Sequence, residues 1–115
     1  MKTSEMIQQQ VNENPVIIYM KGTPDFPQCG FSGNAINALK STGLPFAYVN
    51  VLENQRIFQA LPEYADWPTF PQVFIGGELV GGGDNVVEMM KDGSLKPMME
   101  QAISLTSSEA STGVA

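Results

Sequence analysis

The chain has no histidine and a single cysteine, Cys29, among its 115 residues. Without histidine, one chain can form neither a Cys–His nucleophilic pair nor a zinc site of cysteine and histidine. A single cysteine also excludes an internal disulfide. Activation of the Cys29 thiol must therefore come from backbone dipoles and cations, and any metal bound to it must take its other ligands from elsewhere.

Basic residues are scarce, with six Lys and Arg against twelve Asp and Glu and a formal charge of -6. The six are scattered, so no basic stripe could follow a phosphate backbone. The apolar run Val16–Met20 is far too short to span a bilayer, and the N-terminal stretch lacks an apolar signal segment. We therefore expect a cytoplasmic protein that binds neither nucleic acid nor membranes.

The hydrophobic pattern predicts one α/β domain over residues 1–105. Helices are predicted over 4–13, 30–40, 54–65, 85–91 and 95–105, and strands over 16–20, 46–51, 72–75 and 78–80. A predicted helix lies between the first two strands in the sequence, which implies a parallel pair with a crossover. Gly76-Gly77 predicts an antiparallel hairpin. The expected fold is a mixed four-stranded sheet flanked by helices. The small polar segment 106–115 is predicted to be a disordered tail.

Cys29 lies in the stretch PQCGFSG, between a Pro- and Gly-rich loop and a predicted helix. A thiolate there lies near unpaired N–H groups and the positive end of the helix dipole. Lys21, at the end of the first strand, adds a positive charge. Thiols in such settings have pKa values of roughly 3.5–7.5, against an ordinary value of about 8.5. The alternative is a small buried hydrophobic residue, as lone cysteines often are.

Two further segments are candidates for the same site. The connector Thr69-Phe70-Pro71 presents free backbone groups, especially if the bond before Pro71 is cis. The turn from Gly81 to Asp84 offers backbone N–H groups and one carboxylate at another helix start. Simpler roles are packing for Phe70 and an N-cap for Asp84. In the helix after Cys29, the apolar positions Phe31, Ala35, Ile36 and Leu39 repeat at helical spacing.

Three ordered motifs give the chain a resemblance to a known family. They are Lys21-Gly22-Thr23-Pro24 with Pro27-Gln28-Cys29-Gly30-Phe31-Ser32, then Trp67-Pro68-Thr69-Phe70-Pro71-Gln72, then Gly81-Gly82-x-Asp84. Together they resemble the monothiol glutaredoxins of the CGFS type, over about residues 3–105. The resemblance makes the predicted domain a glutaredoxin domain and implies a thioredoxin-like fold with a cis bond before Pro71.

The resemblance also implies that the protein binds glutathione. Lys21 would meet the glycyl carboxylate of the tripeptide, and the backbone of Phe70 would pair with its cysteinyl portion. The Gly83 amide and Asp84 would hold the γ-glutamyl end. A lysine, a helix N-terminus and an aspartate suit a ligand that carries two carboxylates and one ammonium.

Two positions depart from the family pattern. Phe58 replaces an arginine that is a further carboxylate partner, and Arg56 could substitute only if the helix were shifted. Gly83 stands where many members have cysteine or serine, so a second thiol is missing. We expect glutathione to bind more weakly than in a Phe58→Arg variant, by about 1 kcal/mol; equal affinities by calorimetry would contradict this.

A single thiol per chain suits cluster chemistry. A [2Fe-2S] cluster needs four ligands, and Cys29 with one bound glutathione supplies two. Two chains would supply four, in a homodimer bridged by the cluster, with Cys29 as the metal ligand. The resemblance supports this function, because the family carries such clusters and delivers them to Fe-S apoproteins. It also implies BolA-type partners in a mixed dimer.

Two alternatives remain open at this point. In glutathione-dependent thiol–disulfide exchange, a low-pKa Cys29 would be the catalytic nucleophile on a glutathione mixed disulfide, and a second glutathione would resolve the product. We expect at most weak enzymatic turnover of this kind, because members of this type resemble carriers more than catalysts. The second alternative is a pure adaptor that docks a regulatory partner.

Overall fold

The computed structural model describes the backbone of residues 2–114 and the side chains of residues 2–105. In that part of the chain the elements are α1 (Thr3–Glu13), β1 (Val16–Met20), α2 (Gly30–Ser41), β2 (Ala47–Asn50), a short 3₁₀ helix (Val51–Glu53), α3 (Gln55–Ala65), β3 (Gln72–Ile75), β4 (Glu78–Gly81), α4 (Gly83–Asp92) and α5 (Leu95–Val114). Within the same range, none of the helices combines the length and the hydropathy that crossing a bilayer requires.

The four strands form one sheet in the order β2-β1-β3-β4. Strand β1 pairs with β2 in parallel and with β3 antiparallel, and β3 pairs with β4 antiparallel. The predicted mixed four-stranded sheet is therefore confirmed. Helix α2 connects the two parallel strands, as the sequence order requires. The Gly76-Gly77 turn connects the two strands of the hairpin.

Strand β1 is buried along its whole length, which explains its unbroken apolar sequence. Because side chains alternate along a strand, Val16, Ile18 and Met20 pack on the face that carries α2, α4 and α5. Ile17 and Tyr19 pack on the opposite face, against α1 and α3. Each such buried side chain contributes about 1.5–3 kcal/mol to folding.

The strand pairing brings four loops to one edge of the sheet. Met20, the last residue of β1, is opposite Asn50 at the end of β2. The antiparallel pairing places Gln72, the first residue of β3, opposite Tyr19. Gly81 at the end of β4 is opposite Val73. The segments that follow β1, β2 and β4, and the one that precedes β3, therefore converge beside the start of α2.

One prediction about local structure is wrong. Asp84 is not the N-cap of α4, which begins two residues earlier than predicted with Gly82 as its cap. The side chain of Asn85 reaches back and accepts the Gly82 N–H at 3.1 Å, a bond that a backbone N–H at a helix start needs. Phe31 shares the helical spacing of the apolar residues in α2 but is 59% exposed, because the buried stripe of this helix starts one residue later, at Ser32.

The last helix, α5, includes most of the segment predicted to be a disordered tail. The side chains of residues 106–115 lie outside the described residues, and the disorder of this segment remains a prediction.

Candidate functional site

A pocket of about 670 Å³ opens at the edge of the sheet where the four loops meet. This volume is in the range of small-molecule sites in proteins, roughly 300–1,000 Å³. The pocket wall contains all five residues that the sequence assigns to the site: Lys21, Cys29, Phe70, Gly83 and Asp84. Most of the remaining wall is aromatic or proline, contributed by Phe31, Phe58, Pro62, Trp67, Pro68 and Pro71.

Cys29 is the N-cap of α2, and its side chain is half-buried. The backbone N–H of Ser32 donates to its sulfur at 3.4 Å, and the Ser32 hydroxyl oxygen lies 3.4 Å from the same sulfur. That oxygen also accepts the backbone N–H of Lys21 at 3.3 Å, so the hydroxyl proton is free to point at the sulfur. A serine in the fourth place of a C-x-x-C pattern therefore acts as a donor to the thiolate.

The pKa of the Cys29 thiol reflects opposing effects. Partial burial raises this pKa, because it disfavours the charged form. Hydrogen bonds from the Ser32 hydroxyl and from the backbone N–H groups of Ser32 and Phe31 lower it, and the charge of Lys21 lowers it further. The lowering effects prevail, so the pKa lies below that of an ordinary thiol. The geometry therefore favours a reactive thiol over the alternative of a sealed hydrophobic residue.

The loop between Lys21 and Cys29 is closed at both ends. Gln28 donates its backbone N–H to the carbonyl of Lys21 at 2.8 Å, and the Gly22 N–H reaches the Asn50 Oδ1 at 3.0 Å. A Cβ at position 22 would lie 2.5 Å from the Phe26 carbonyl, so only glycine fits this closure. These bonds hold Lys21 beside the thiol.

The connector before β3 is supported by Gln72, which is fully buried. Its Nε2 donates to the carbonyls of Trp67 at 2.9 Å and Thr69 at 3.3 Å. The Phe70–Pro71 peptide bond is cis, as the resemblance implies. Among the described residues, the backbone of Phe70 has no hydrogen-bond partner, so its polar groups are available to a ligand.

Phe58 forms an aromatic wall at the end of the pocket where Lys21 lies. The Phe58 ring centroid lies 5.3 Å from the Phe70 ring centroid. The Lys21 Nζ lies 5.9 Å from the Phe58 ring centroid. A cation at this distance from a ring gains about 0.5–1 kcal/mol at a partly exposed site. Arg56 is exposed and does not line the pocket, so the helix is not shifted and this arginine does not replace the missing one.

The start of α4 approaches the start of α2 very closely. The first N–H groups of a helix have no acceptor within it, and here Gly83 and Asp84 present them at the pocket wall. A Cβ on Gly83 would lie 2.7 Å from the carbonyl oxygen of Phe31. The absence of a side chain at this position therefore sets the spacing between the two helices.

Several residues that shape the site were not assigned a role from the sequence. Ser32 and Gln72 were named only as members of a motif, and Phe58 only as a departure from the family pattern. Asn50 had no sequence signal, because its partner Gly22 is 28 positions away. Among the side chains of residues 2–105, no group of three or more His, Cys, Asp or Glu is placed to hold a metal ion.

The fold and the site together define a thioredoxin-like α/β protein with one thiol of lowered pKa in the wall of a pocket. Comparison with known proteins is more specific, because the family model described as glutaredoxin matches residues 16–80. Glutaredoxin 4 of Escherichia coli strain K12 is 50% identical over 107 residues, which are 93% of each chain. The chain belongs to the glutaredoxin family, and it is a member with one cysteine.

Solved structures agree with this assignment. The solution structure of reduced poplar apo GrxS14 is 47% identical, with a TM-score of 0.74 over 86% of this chain and 91% of that one. The crystal structure of a buckwheat glutaredoxin–glutathione complex is 29% identical, with a TM-score of 0.75 over 86% of this chain and 88% of that one. The thioredoxin-like fold implied by the resemblance is thereby confirmed.

Proposed function

We propose that the protein binds glutathione in the pocket and, as a homodimer, assembles, carries and transfers a [2Fe-2S] cluster. The observation that carries the proposal is the placement of the Cys29 sulfur. It is half-buried, its pKa is lowered, and it lines a pocket with a cation in one part of the wall and a helix start in another.

The wall of the pocket matches glutathione in its charges. We assign Lys21 to the glycyl carboxylate, the unpaired backbone groups of Phe70 to the cysteinyl portion, and the Gly83 N–H with Asp84 to the γ-glutamyl end. An ammonium, free backbone groups and a helix N-terminus suit a ligand with two carboxylates and one ammonium. The buckwheat relative solved as a glutathione complex supports this assignment.

The ligand count supports the role in cluster transfer. Iron–sulfur clusters of this size take four ligands, commonly thiolates. The chain has one cysteine and no histidine, so two chains with two bound glutathiones reach four thiolates. The cluster is then cargo, and it can be exchanged because half of its ligands are diffusible. Fe-S apoproteins are the proposed recipients of the cluster, and BolA-type proteins are the proposed partners in a mixed dimer. The proposed location is the cytosol, where thiols stay reduced.

Anaerobic reconstitution tests the proposal. The reduced protein is incubated with iron, sulfide and glutathione, then measured by ultraviolet-visible spectroscopy and size-exclusion chromatography. We expect the absorption of a [2Fe-2S] cluster in a dimer, and neither absorption nor dimer for Cys29→Ser. A wild-type sample that gains no cluster with glutathione present would refute the carrier function.

Glutathione-dependent thiol–disulfide exchange is the second candidate, favoured by the lowered pKa of Cys29. We expect low turnover. The Lys40 Nζ donates to the Pro24 carbonyl, in the loop before the thiol, at 3.2 Å, and we propose that this loop restricts the approach of a second glutathione. A standard glutathione-coupled disulfide assay separates the two candidates, because it requires no iron. Rapid turnover by the cluster-free protein would favour the enzyme.

A further inference from the structure

The end of the pocket near Lys21 is poor in positive charge. Of the basic side chains in the described part of the chain, only Lys21 lines the pocket. Its neighbours there are apolar, with Phe58 and Pro62 from successive turns of α3. We call these three residues the Phe58 subsite.

The Phe58 subsite offers a carboxylate only one charged partner. The Lys21 Nζ lies over the Phe58 ring, 5.9 Å from its centroid, and this ring packs against Phe70. The face of an aromatic ring carries partial negative charge, so it attracts the ammonium and disfavours a carboxylate placed against it. The ring keeps the ammonium partnered even when no carboxylate is present, and its apolar surface contributes contact to uncharged groups.

We propose that the Phe58 subsite makes the pocket tolerant of the C-terminal group of its ligand. The ligand class is then γ-glutamyl-cysteinyl thiols in which the carboxylate of the third residue is free or is neutralised by an apolar group. This inference rests on the proposed function, because it assumes that glutathione binds with its glycyl end near Lys21. Phe58 acts as a specificity-determining residue.

The volume of the pocket is compatible with an added apolar group. It measures about 670 Å³, and its wall near α3 continues through Trp67 and Pro68, which are aromatic or aliphatic. A guanidinium at position 58 would instead form paired hydrogen bonds that only a carboxylate can accept. The residue at position 58 thus decides between a strict carboxylate site and a tolerant one.

The test compares three ligands on the reduced full-length protein by chemical-shift titration of its backbone amides. The ligands are glutathione, its glycyl ethyl ester and its glycinamide. In the glycinamide the glycyl end is neutral, as in the ester, but it lacks the apolar ethyl group. The wild type is compared with Phe58→Arg, and with Phe58→Leu, which keeps an apolar surface but removes the ring. Thermal unfolding confirms that each variant is folded, and shifts at the Gly83 amide confirm that each ligand occupies the same pocket.

We expect the wild type to bind the ester less than tenfold more weakly than glutathione, and more tightly than the amide. In Phe58→Arg the loss on esterification should exceed the wild-type loss at least fivefold. In Phe58→Leu the loss should lie between the two, because the apolar surface is kept but the ring that partners the Lys21 ammonium is removed. A loss of tenfold or more in the wild type, or the same loss in Phe58→Arg, would overturn this inference while glutathione binding itself stands. Absence of any binding of glutathione would overturn the proposed function as well.

Discussion

The hydroxyl oxygen of Ser32 lies 3.4 Å from the sulfur of Cys29 and accepts the backbone N–H of Lys21 at 3.3 Å. Ser32 is fully buried, so this geometry is protected from competition by water. The serine links the end of β1 to the thiol at the start of α2. Its hydroxyl stands where a C-x-x-C pair has its second thiol. This hydroxyl stabilises the thiolate and cannot be oxidised to a disulfide.

Replacement of Ser32 by alanine should raise the pKa of Cys29. The wild-type pKa is lowered, so the thiolate persists as the pH falls until it is protonated near this lowered value. Without the hydroxyl donor, protonation should occur at higher pH. Alkylation by iodoacetamide at pH 6 should then be severalfold slower in Ser32→Ala, while the two rates should converge well above the thiol pKa. Ser41→Ala, on the same helix, is the control; superimposable pH profiles for Ser32→Ala and the wild type would contradict this role.

Replacement of Ser32 by cysteine should create an internal disulfide. The side-chain atoms at positions 29 and 32 are already 3.4 Å apart, and a small rotation brings two sulfurs to the bond length of about 2.05 Å. After mild oxidation, thiol titration of the monomer should find no free thiol in Ser32→Cys. Ser41→Cys, at the exposed end of α2, should keep both thiols in its monomer. Two titratable thiols in oxidised Ser32→Cys would show that the helix start is too rigid for this rotation.

Local sequence patterns were sufficient for the elements with strong local signals. The bounds of β1 and β3 follow from short apolar runs beside proline and glycine, and those runs are buried throughout. The convergence of Lys21, Cys29 and Gly83 follows from the strand order. The sequence predicted the parallel pair and the hairpin, whereas the antiparallel pairing of β1 with β3 that joins them is seen only in the structure.

Contacts between distant residues could not be predicted in the same way. The backbone N–H of Lys21 donates to Ser32, and that of Gly22 donates to Asn50, between residues 11 and 28 positions apart. The exposure of Phe31 could not be predicted either, because the spacing of apolar residues in α2 is equally helical with or without it. The outcome depended on which stripe of the helix meets the sheet, and that is a property of tertiary packing.

Replacement of Asn50 by alanine should destabilise the fold through the active-site loop. The Oδ1 of Asn50 accepts the N–H groups of Gly22 and Leu52, both at 3.0 Å, and Gly22 is buried. An unsatisfied buried N–H costs about 1–3 kcal/mol, and urea unfolding should show a loss of about this size. Asn50→Asp keeps the acceptor and should retain most of the stability. Asn54→Ala, which removes an exposed donor, is the control; an equal loss there would assign the effect to the β2–α3 turn alone.

Replacement of Gly83 by alanine should also destabilise the protein. The added Cβ would lie 2.7 Å from the Phe31 carbonyl, so the starts of α2 and α4 would have to separate. Overpacking of this kind typically costs about 1–3 kcal/mol in the free energy of unfolding. Gly33→Ala is a matched control, because its Cβ would make only an ordinary contact at 3.7 Å with Pro27. That control should be neutral or more stable by up to about 1 kcal/mol. Equal stability of Gly83→Ala and the wild type would mean that the helices move apart without cost.

Removal of glutathione should release the cluster from the reconstituted protein. In the proposed dimer two of the four thiolates come from glutathione, and a diffusible ligand is lost by mass action when its free concentration falls below its dissociation constant. Passage through a desalting column without glutathione should therefore reduce the cluster absorption and convert dimer to monomer, whereas millimolar glutathione in the column buffer should preserve the absorption and the dimer.

Lys21→Gln, which removes the only basic side chain lining the pocket among the described residues, should lose the cluster at a higher glutathione concentration than the wild type. Persistence of the dimer and its absorption in glutathione-free buffer would mean that the protein itself supplies the remaining ligands. That result would contradict the ligand count on which the carrier function depends.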